Sequence, residues 1–240
     1  MFKKFIFLSL IVTFNLYSQN EGYEVIYGKK LIINDTIKST DKKIRDRITS
    51  INKSLNDIEY VLIYNKDESY FVYDKKMDSD HKKINPRAIT SGGMDGVFYT
   101  NFRTEIRQYQ IELFDELFIV NDTINKYDWK LTGKTKLISN KLVYKAVTVV
   151  NVNDFRGNYN FNIEAWYCPE FTVQYGPASF SGLPGLVLEV IYDDKISTFI
   201  KSINKKKNIK IPNFSNGKMI SQKELTIIFN QNMESIKNNN

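Results

Sequence analysis

Few side chains in this sequence are suited to nucleophilic or metal chemistry. The 240 residues include one cysteine, Cys168, and one histidine, His81. A catalytic thiol needs an activating partner, usually a histidine, and His81 lies in a charged stretch that predicts a loop. A zinc site needs three or four ligands, which one cysteine and one histidine do not supply. We therefore expect a buried Cys168 thiol, no metal and no cofactor.

Carboxylates are the remaining candidates for catalysis. Glu164, Glu170 and Asp95 have the chemistry that general acid–base catalysis requires. No spacing marks two of them as a pair, and catalysis also needs positioned groups with shifted pKa values. A carboxylate-dependent hydrolase of the periplasm or cell surface is therefore the alternative function, and the sequence favours a protein that is not an enzyme.

A group of aromatic residues lies close to a rigid corner of the chain. The residues are Trp166, Tyr167 and Phe180. They precede the segment Gly182-Leu183-Pro184-Gly185, in which glycine permits unusual backbone angles and proline fixes φ. The apolar run from Leu186 to Ile191 then predicts a buried strand. Because aromatic side chains beside rigid corners often contact partners, we expect the three residues to line or border a recognition surface. Packing in the core is the competing interpretation.

Several motifs together give the chain a resemblance to a known family. They are, in order, Asp128-Trp129-Lys130-Leu131, Thr135-Lys136, Tyr144-Lys145-Ala146, Ala165-Trp166-Tyr167, Pro169-Glu170, Gly176-Pro177 and Gly182-Leu183-Pro184-Gly185-Leu186-Val187. This series resembles the GLPGLI family of Bacteroidetes envelope proteins. The resemblance implies an address in the cell envelope and supplies no catalytic residue, because the family has no established activity. Val143 and Cys168 stand where many relatives carry cysteine and threonine, so the resemblance carries no disulfide over to this chain.

The first residues have the pattern of an export signal. Lys3 and Lys4 precede an apolar run from Phe5 to Leu16 that is too short to span a bilayer. Ser18 offers a small residue before a cleavage point. We predict a signal peptide over residues 1–18 and a single domain over residues 19–240, located in the periplasm or outer envelope, without a transmembrane segment. A retained anchor helix is the alternative.

Two segments have helical periodicity. In the amino-terminal half, apolar residues at four- and three-residue spacing predict an amphipathic helix; they are Ile44, Ile48, Ile51, Leu55 and Ile58. Ser39 or Thr40 is the expected N-cap, and Asp41 is expected in the first turn. Near the carboxyl end, Ser221 and Glu224 form a capping-box pattern. It opens a final helix whose apolar face carries Leu225, Ile228, Phe229, Met233 and Ile236.

Most of the remaining chain alternates with a period of two. Short apolar and aromatic runs separated by turn residues predict strand after strand, with residues 75–96 as a long loop and residues 151–160 as a polar turn. Strands without intervening helices indicate antiparallel pairing. The fold class we predict is mainly β (α+β): a strongly bent antiparallel sheet or half-barrel with one amphipathic helix in each half of the chain.

The net charge and the expected export limit which classes of binding partner are plausible. The formal net charge is +7, and removal of Lys3 and Lys4 would leave +5 (7 − 2). An exported chain with this modest charge and no recognisable motif is not expected to bind nucleic acid. We expect a binding or assembly module, a monomer or weak oligomer, whose partner is an envelope protein or an apolar or amphiphilic ligand. A structural or adhesive subunit is less favoured, because no long repeats occur.

Overall fold

A computed structural model describes residues 21–32, 41–74, 94, 96–154, 156–214 and 216–238. Within these ranges the β-rich composition forms two helices and twelve strands. In chain order they are β1 Gly22–Leu31, α1 Lys42–Asn56, β2 Glu59–Tyr64, β3 Glu68–Tyr73, β4 Val97–Asn101, β5 Ile106–Leu113, β6 Glu116–Asn121, β7 Lys130–Ile138, β8 Lys141–Asp154, β9 Gly157–Cys168, β10 Leu186–Tyr192, β11 Ile196–Lys206, β12 Lys218–Ser221 and α2 Gln222–Asn238.

All the described strands belong to one sheet. Their order is β12-β6-β5-β4-β3-β2-β1-β11-β10-β9-β8-β7, so the sheet is open and has β12 and β7 at its edges. Every neighbouring pair is antiparallel except β12 and β6, which run parallel. The predicted mainly β fold with a bent sheet and two helices is confirmed. The sheet is mixed where a wholly antiparallel one was expected, because β12 returns beside β6 after a long connection.

The main hydrophobic core lies on the face of the sheet that α1 covers. Tyr60 stacks on Phe71 with ring centroids 5.3 Å apart, and Leu55 of α1 is fully buried in the same cluster. The N-cap of α1 is Asp41, whose carboxylate accepts a hydrogen bond of 2.7 Å from the backbone N–H of Lys43. Asp41 therefore caps the helix that Ser39 or Thr40 was expected to cap; residues 33–40 lie outside the described residues.

A smaller core lies at the β12 edge beneath α2. Phe118, Val120 and Ile220 are buried there, and Leu225 covers them from the helix. The predicted capping box is confirmed: Glu224 accepts a hydrogen bond of 2.7 Å from the Ser221 backbone N–H, and the Ser221 hydroxyl accepts one of 3.2 Å from the Glu224 N–H. Capping satisfies two backbone groups that the first turn leaves open.

The expected polar turn at residues 151–160 is wrong. Strand β8 continues to Asp154 and β9 begins at Gly157, so nearly all of this segment is paired. Strand β7 pairs with β8 only as far as Val147, and β10 pairs with β9 only as far as Ile163. The last six pairs of the β8–β9 ladder therefore extend past both neighbouring strands. We call this part, residues 149–154 with residues 157–162, the β8–β9 ribbon.

Two other expectations fall largely or wholly outside the described residues. They are the signal peptide at residues 1–18 and most of the long loop at residues 75–96. Among the residues that the structure describes, neither helix is long and apolar enough to cross a membrane.

Candidate functional site

The predicted corner between β9 and β10 depends on glycine at two positions. Gly182 has φ +91° and Gly185 has φ +154°, a region that other residues rarely adopt. A Cβ on Gly185 would lie 2.4 Å from the carbonyl oxygen of Cys168, whereas one on Gly182 would meet no atom within 4 Å. Leu183 and Leu186 are buried on either side of an exposed Pro184. The corner therefore brings the chain directly against the end of β9.

The loop that leads into this corner, residues 169–185, is called the corner loop here. Residues 175–181 in its middle are all buried, so their backbone groups need partners within the protein. The Arg107 guanidinium donates to the carbonyl of Ser179, and the Trp129 indole N–H donates to the carbonyl of Ser181 at 3.0 Å. Side chains from β5 and from the segment before β7 thus fix the loop from outside.

Arg107 carries a buried positive charge at the centre of this arrangement. Its Nε lies 3.6 Å from Asp122, which is also paired with Lys126 at 2.9 Å. Burial lowers the pKa of Arg107, while the nearby Tyr127 and Asp122 raise it. Burial also raises the pKa of Tyr127, whose hydroxyl lies 2.5 Å from the Ser179 hydroxyl. These groups tie the corner loop to the sheet.

The three aromatic residues expected at a surface are buried. Trp166, Tyr167 and Phe180 are 8%, 5% and 3% exposed and belong to the main core cluster. Successive strand residues point to opposite faces, so Trp166 and Tyr167 cannot present one surface. Phe180 stacks on Tyr127 with ring centroids 5.3 Å apart. The expected exposure is therefore wrong, and the competing interpretation, core packing, describes these side chains.

Trp166 nevertheless supports a polar group on its own face of the sheet. Its indole N–H donates a hydrogen bond of 2.6 Å to Glu164, which also pairs with Lys145. The ring is covered by Lys136, whose Nζ lies 4.1 Å from the centroid, a distance that favours cation–π attraction. Lys136 in turn pairs with Glu189 at 2.5 Å. Trp166 and these ion pairs hold the Glu164 side chain in place.

Glu164 lines a cavity at the foot of the β8–β9 ribbon. The cavity has a volume of about 490 Å³ and is formed by β8, β9, the segment that begins β7 and the turn between β10 and β11. Its lining includes both polar and apolar residues. The lining residues are Asp128, Lys130, Val147, Thr148, Val149, Asn162, Ile163, Glu164 and Asp194.

The cavity has both apolar and charged lining residues and carries more negative than positive charge. Asp128, Glu164 and Asp194 contribute carboxylates, and Lys130 contributes one ammonium group. Across the described residues, no group of three or more His, Cys, Asp or Glu side chains is arranged to hold a metal ion. The lining offers hydrogen-bond acceptors and donors around a space large enough for a small ligand.

The other candidate residues of the sequence lie apart from this cavity. Glu170 is exposed and pairs with Lys141 at 2.7 Å, so Glu164 and Glu170 are bound to different lysines. Cys168 is a buried free thiol, which confirms the expected burial. Asp95 and His81 lie outside the described residues.

The tip of the β8–β9 ribbon is held by an ion pair and a phenol. Arg156 donates to Asp154 through Nε at 3.1 Å, and the Tyr159 hydroxyl donates to the same carboxylate at 2.5 Å. The hydrogen bond from Arg156, followed by that from Tyr159, holds the pKa of Asp154 well below its usual range. The hairpin tip at the far end of the ribbon from the cavity is therefore held in one conformation.

Sequence reasoning named Glu164 as a candidate carboxylate, but it missed that Glu164 lies beside Asp128 and Asp194 in a cavity. It also missed the buried charge of Arg107. Arg107 contacts Ser179, 72 positions away, and no local pattern signals such a contact. The ribbon had a detectable signal, because Val150 and Val152, and then Tyr159 and Phe161, keep the period of two through the asparagines. Composition rich in asparagine concealed that alternation.

Comparison with known families gives one match. The model of a family described as "Protein of unknown function (Porph_ging)" matches residues 156–189. The matched segment contains β9, the corner loop and the start of β10, and is consistent with a family of the GLPGLI type. No curated protein matches the chain significantly.

Comparison with solved structures supports the fold. Two crystal forms of PNGF-II match with TM-scores of 0.56 and 0.53 at 19% and 20% sequence identity. The alignments cover 87% and 86% of this chain, but only 33% and 32% of the PNGF-II chains. The present chain therefore spans about a third of the length of the structures it matches, and the likeness concerns the fold alone.

Proposed function

We propose that the chain is an exported binding module of the cell envelope, and that the cavity at the foot of the β8–β9 ribbon is its binding site. The main observation in support of this proposal is the cavity itself. Ligand sites in proteins are concave, largely preformed and typically 300–1,000 Å³ in volume, and a space of about 490 Å³ falls within that range.

The charged and amide groups of the cavity lining favour a ligand with polar groups over a wholly apolar one; the sequence alone leaves an envelope protein or an apolar or amphiphilic ligand open. Three carboxylates, an ammonium group and an amide line it, and the Glu164 carboxylate is oriented by Trp166 and Lys145. Groups held in place before binding lose less entropy on complex formation. Of the three aromatic residues singled out from the sequence, Trp166 thus contributes to the site indirectly, because its indole orients the Glu164 carboxylate.

The proposal that the protein is exported rests on the pattern of its first eighteen residues. We predict that the mature protein begins at Gln19 or a near neighbour, because a basic start, a short apolar run and a small residue are the three parts of a cleavable signal. Intact-mass measurement on protein isolated from the cell envelope should show the loss of residues 1–18. Protein that retains Met1 in the envelope would contradict the prediction.

Native mass spectrometry of protein purified from its own envelope tests the binding site. Val149 lines the cavity and is 51% exposed, so Val149→Trp places a bulky indole in the cavity at little cost to the core. Leu137→Trp at a 69% exposed position of β7 is the matched control. We expect wild type and L137W to retain the same bound small molecule and V149W to lose it. Equal retention by V149W would show that the cavity is not the site.

A carboxylate-dependent hydrolase is the second candidate, favoured by one observation. Asp128, Glu164 and Asp194 line the same cavity. For a hydrolase, Asp194→Asn should abolish turnover of a bound molecule and increase the amount recovered intact. For a binding module, the same variant should only weaken retention. Mass analysis of the bound and released molecules separates the two outcomes.

A further inference from the structure

The solvent face of the β8–β9 ribbon consists almost entirely of asparagine. Two asparagine pairs lie directly opposite each other across the ladder, Asn151 with Asn160 and Asn153 with Asn158. Asn162 follows on the same face, opposite Val149. All five asparagines are exposed, whereas the intervening residues of both strands are at least half-buried. The ribbon therefore has one amide face and one core-facing side.

The architecture of the ribbon gives no reason for asparagine at these positions. Asparagine is depleted in strands, where threonine or valine would be more favourable. Strand pairing and the core contacts of Val150 and Phe161 already fix the ribbon. Within the part of the chain that the structure describes, none of the five amide groups forms a hydrogen bond. Their donors and acceptors are thus open to a ligand.

The amide face continues directly from the cavity. Asn162 lines the cavity, and the other four asparagines, with Tyr159, line a shallow groove of about 280 Å³ farther along the ribbon. Six residue pairs at about 3.3 Å per residue give the ribbon a length of roughly 20 Å. The surface from Glu164 to the hairpin tip is therefore an extended polar track, which suits an elongated ligand.

We propose that this track binds a glycan chain, with the cavity holding one end; the inference rests on the proposed binding function. Each asparagine amide offers two donors and an acceptor, which matches hydroxyl groups that both donate and accept. The carboxylates of Asp128, Glu164 and Asp194 accept further hydroxyl protons and disfavour a polyanion. The ion pair of Asp154 with Arg156 fixes the tip before binding.

The proposal is tested by isotope-edited NMR on residues 19–240 with defined probes. The probes are maltohexaose, cellohexaose, chitohexaose and a mannan-derived hexasaccharide, with a hexapeptide of alternating valine and threonine as the peptide control. The variant Asn151→Val/Asn160→Val removes one opposed amide pair and keeps strand propensity. Asn213→Ala removes an exposed asparagine away from the ribbon and is the matched control. Thermal melting confirms that each variant is folded.

At least one oligosaccharide should shift the side-chain amide signals of the ribbon. The affinity of the protein for that oligosaccharide should fall at least tenfold in the N151V/N160V variant and remain unchanged in N213A. Both variants should melt within about 2 °C of wild type. Shifts caused only by the peptide would assign the ribbon to strand addition and overturn the proposal. If no oligosaccharide binds while V149W still loses a molecule that the wild type retains, the glycan assignment is wrong and the binding function stands. If neither binds, both fail.

Discussion

At the scale of single residues, Gly185 shows how the corner determines packing. Two features of Gly185 oppose a larger side chain: its positive φ, and the short distance between an added Cβ and the carbonyl oxygen of Cys168. Gly182 has only the unusual φ. We expect Gly182→Ala to lower the free energy of unfolding by about 1 kcal/mol and Gly185→Ala by at least about 2 kcal/mol, because the second also forces backbone movement. Urea denaturation of the two variants measures the difference. Equal losses would show that the close approach to Cys168 is unimportant.

Arg107 is the second residue on which the corner loop depends. Replacing it with methionine leaves the Ser179 carbonyl without its donor and weakens the pairing of the buried Asp122. Removal of one partner from a buried ion pair is strongly destabilising, so we expect a loss of about 3 kcal/mol. Arg103, whose side chain is 77% exposed beside Asp67, is the matched control, and Arg103→Met should change stability by less than about 0.5 kcal/mol. Similar urea midpoints for both variants would contradict this account.

At the scale of elements, the β8–β9 ribbon is held at its tip by Asp154. Its pKa in the folded protein is lowered, so its contribution to stability is present above the unfolded value of about 3.9 and is lost as the pH falls below it. We expect Asp154→Asn to be less stable than wild type at pH 7 and the difference to shrink toward pH 3. Arg156→Gln should reduce the same pH dependence, because it removes the largest cause. A difference that stays constant with pH would rule out the ion pair as the source.

Local periodicity predicted most of these elements. The hairpin of β2 and β3, the helix α1 and the capping box of α2 follow from spacings within a few residues of each other. The ribbon was mistaken for a turn because asparagine usually marks turns, and its alternation with valine and aromatic residues was the stronger signal. The burial of Trp166 was missed because a large aromatic residue beside a rigid corner suits either packing or contact.

At the scale of the whole molecule, the open sheet has two edges that differ in protection. Lys130, Lys134 and Lys136 lie along β7, and lysine on an edge strand discourages pairing with another chain. Strand β12 has only four residues, which also limits such pairing. The long-range arrangement that forms the cavity, with residues from β7, β8–β9 and the β10–β11 turn, could not be predicted, because no sequence spacing relates Asp128, Glu164 and Asp194.

The central claim is that the cavity holds a polar ligand in the envelope. The most direct measurement is a crystal structure of the mature protein purified from its own envelope without a denaturing step. The account predicts non-protein density in the cavity, within hydrogen-bond distance of Glu164 and of Asp194 or Asp128, continuing toward Asn162. A cavity that contains only ordered water, in protein whose mass shows no bound molecule, would contradict it.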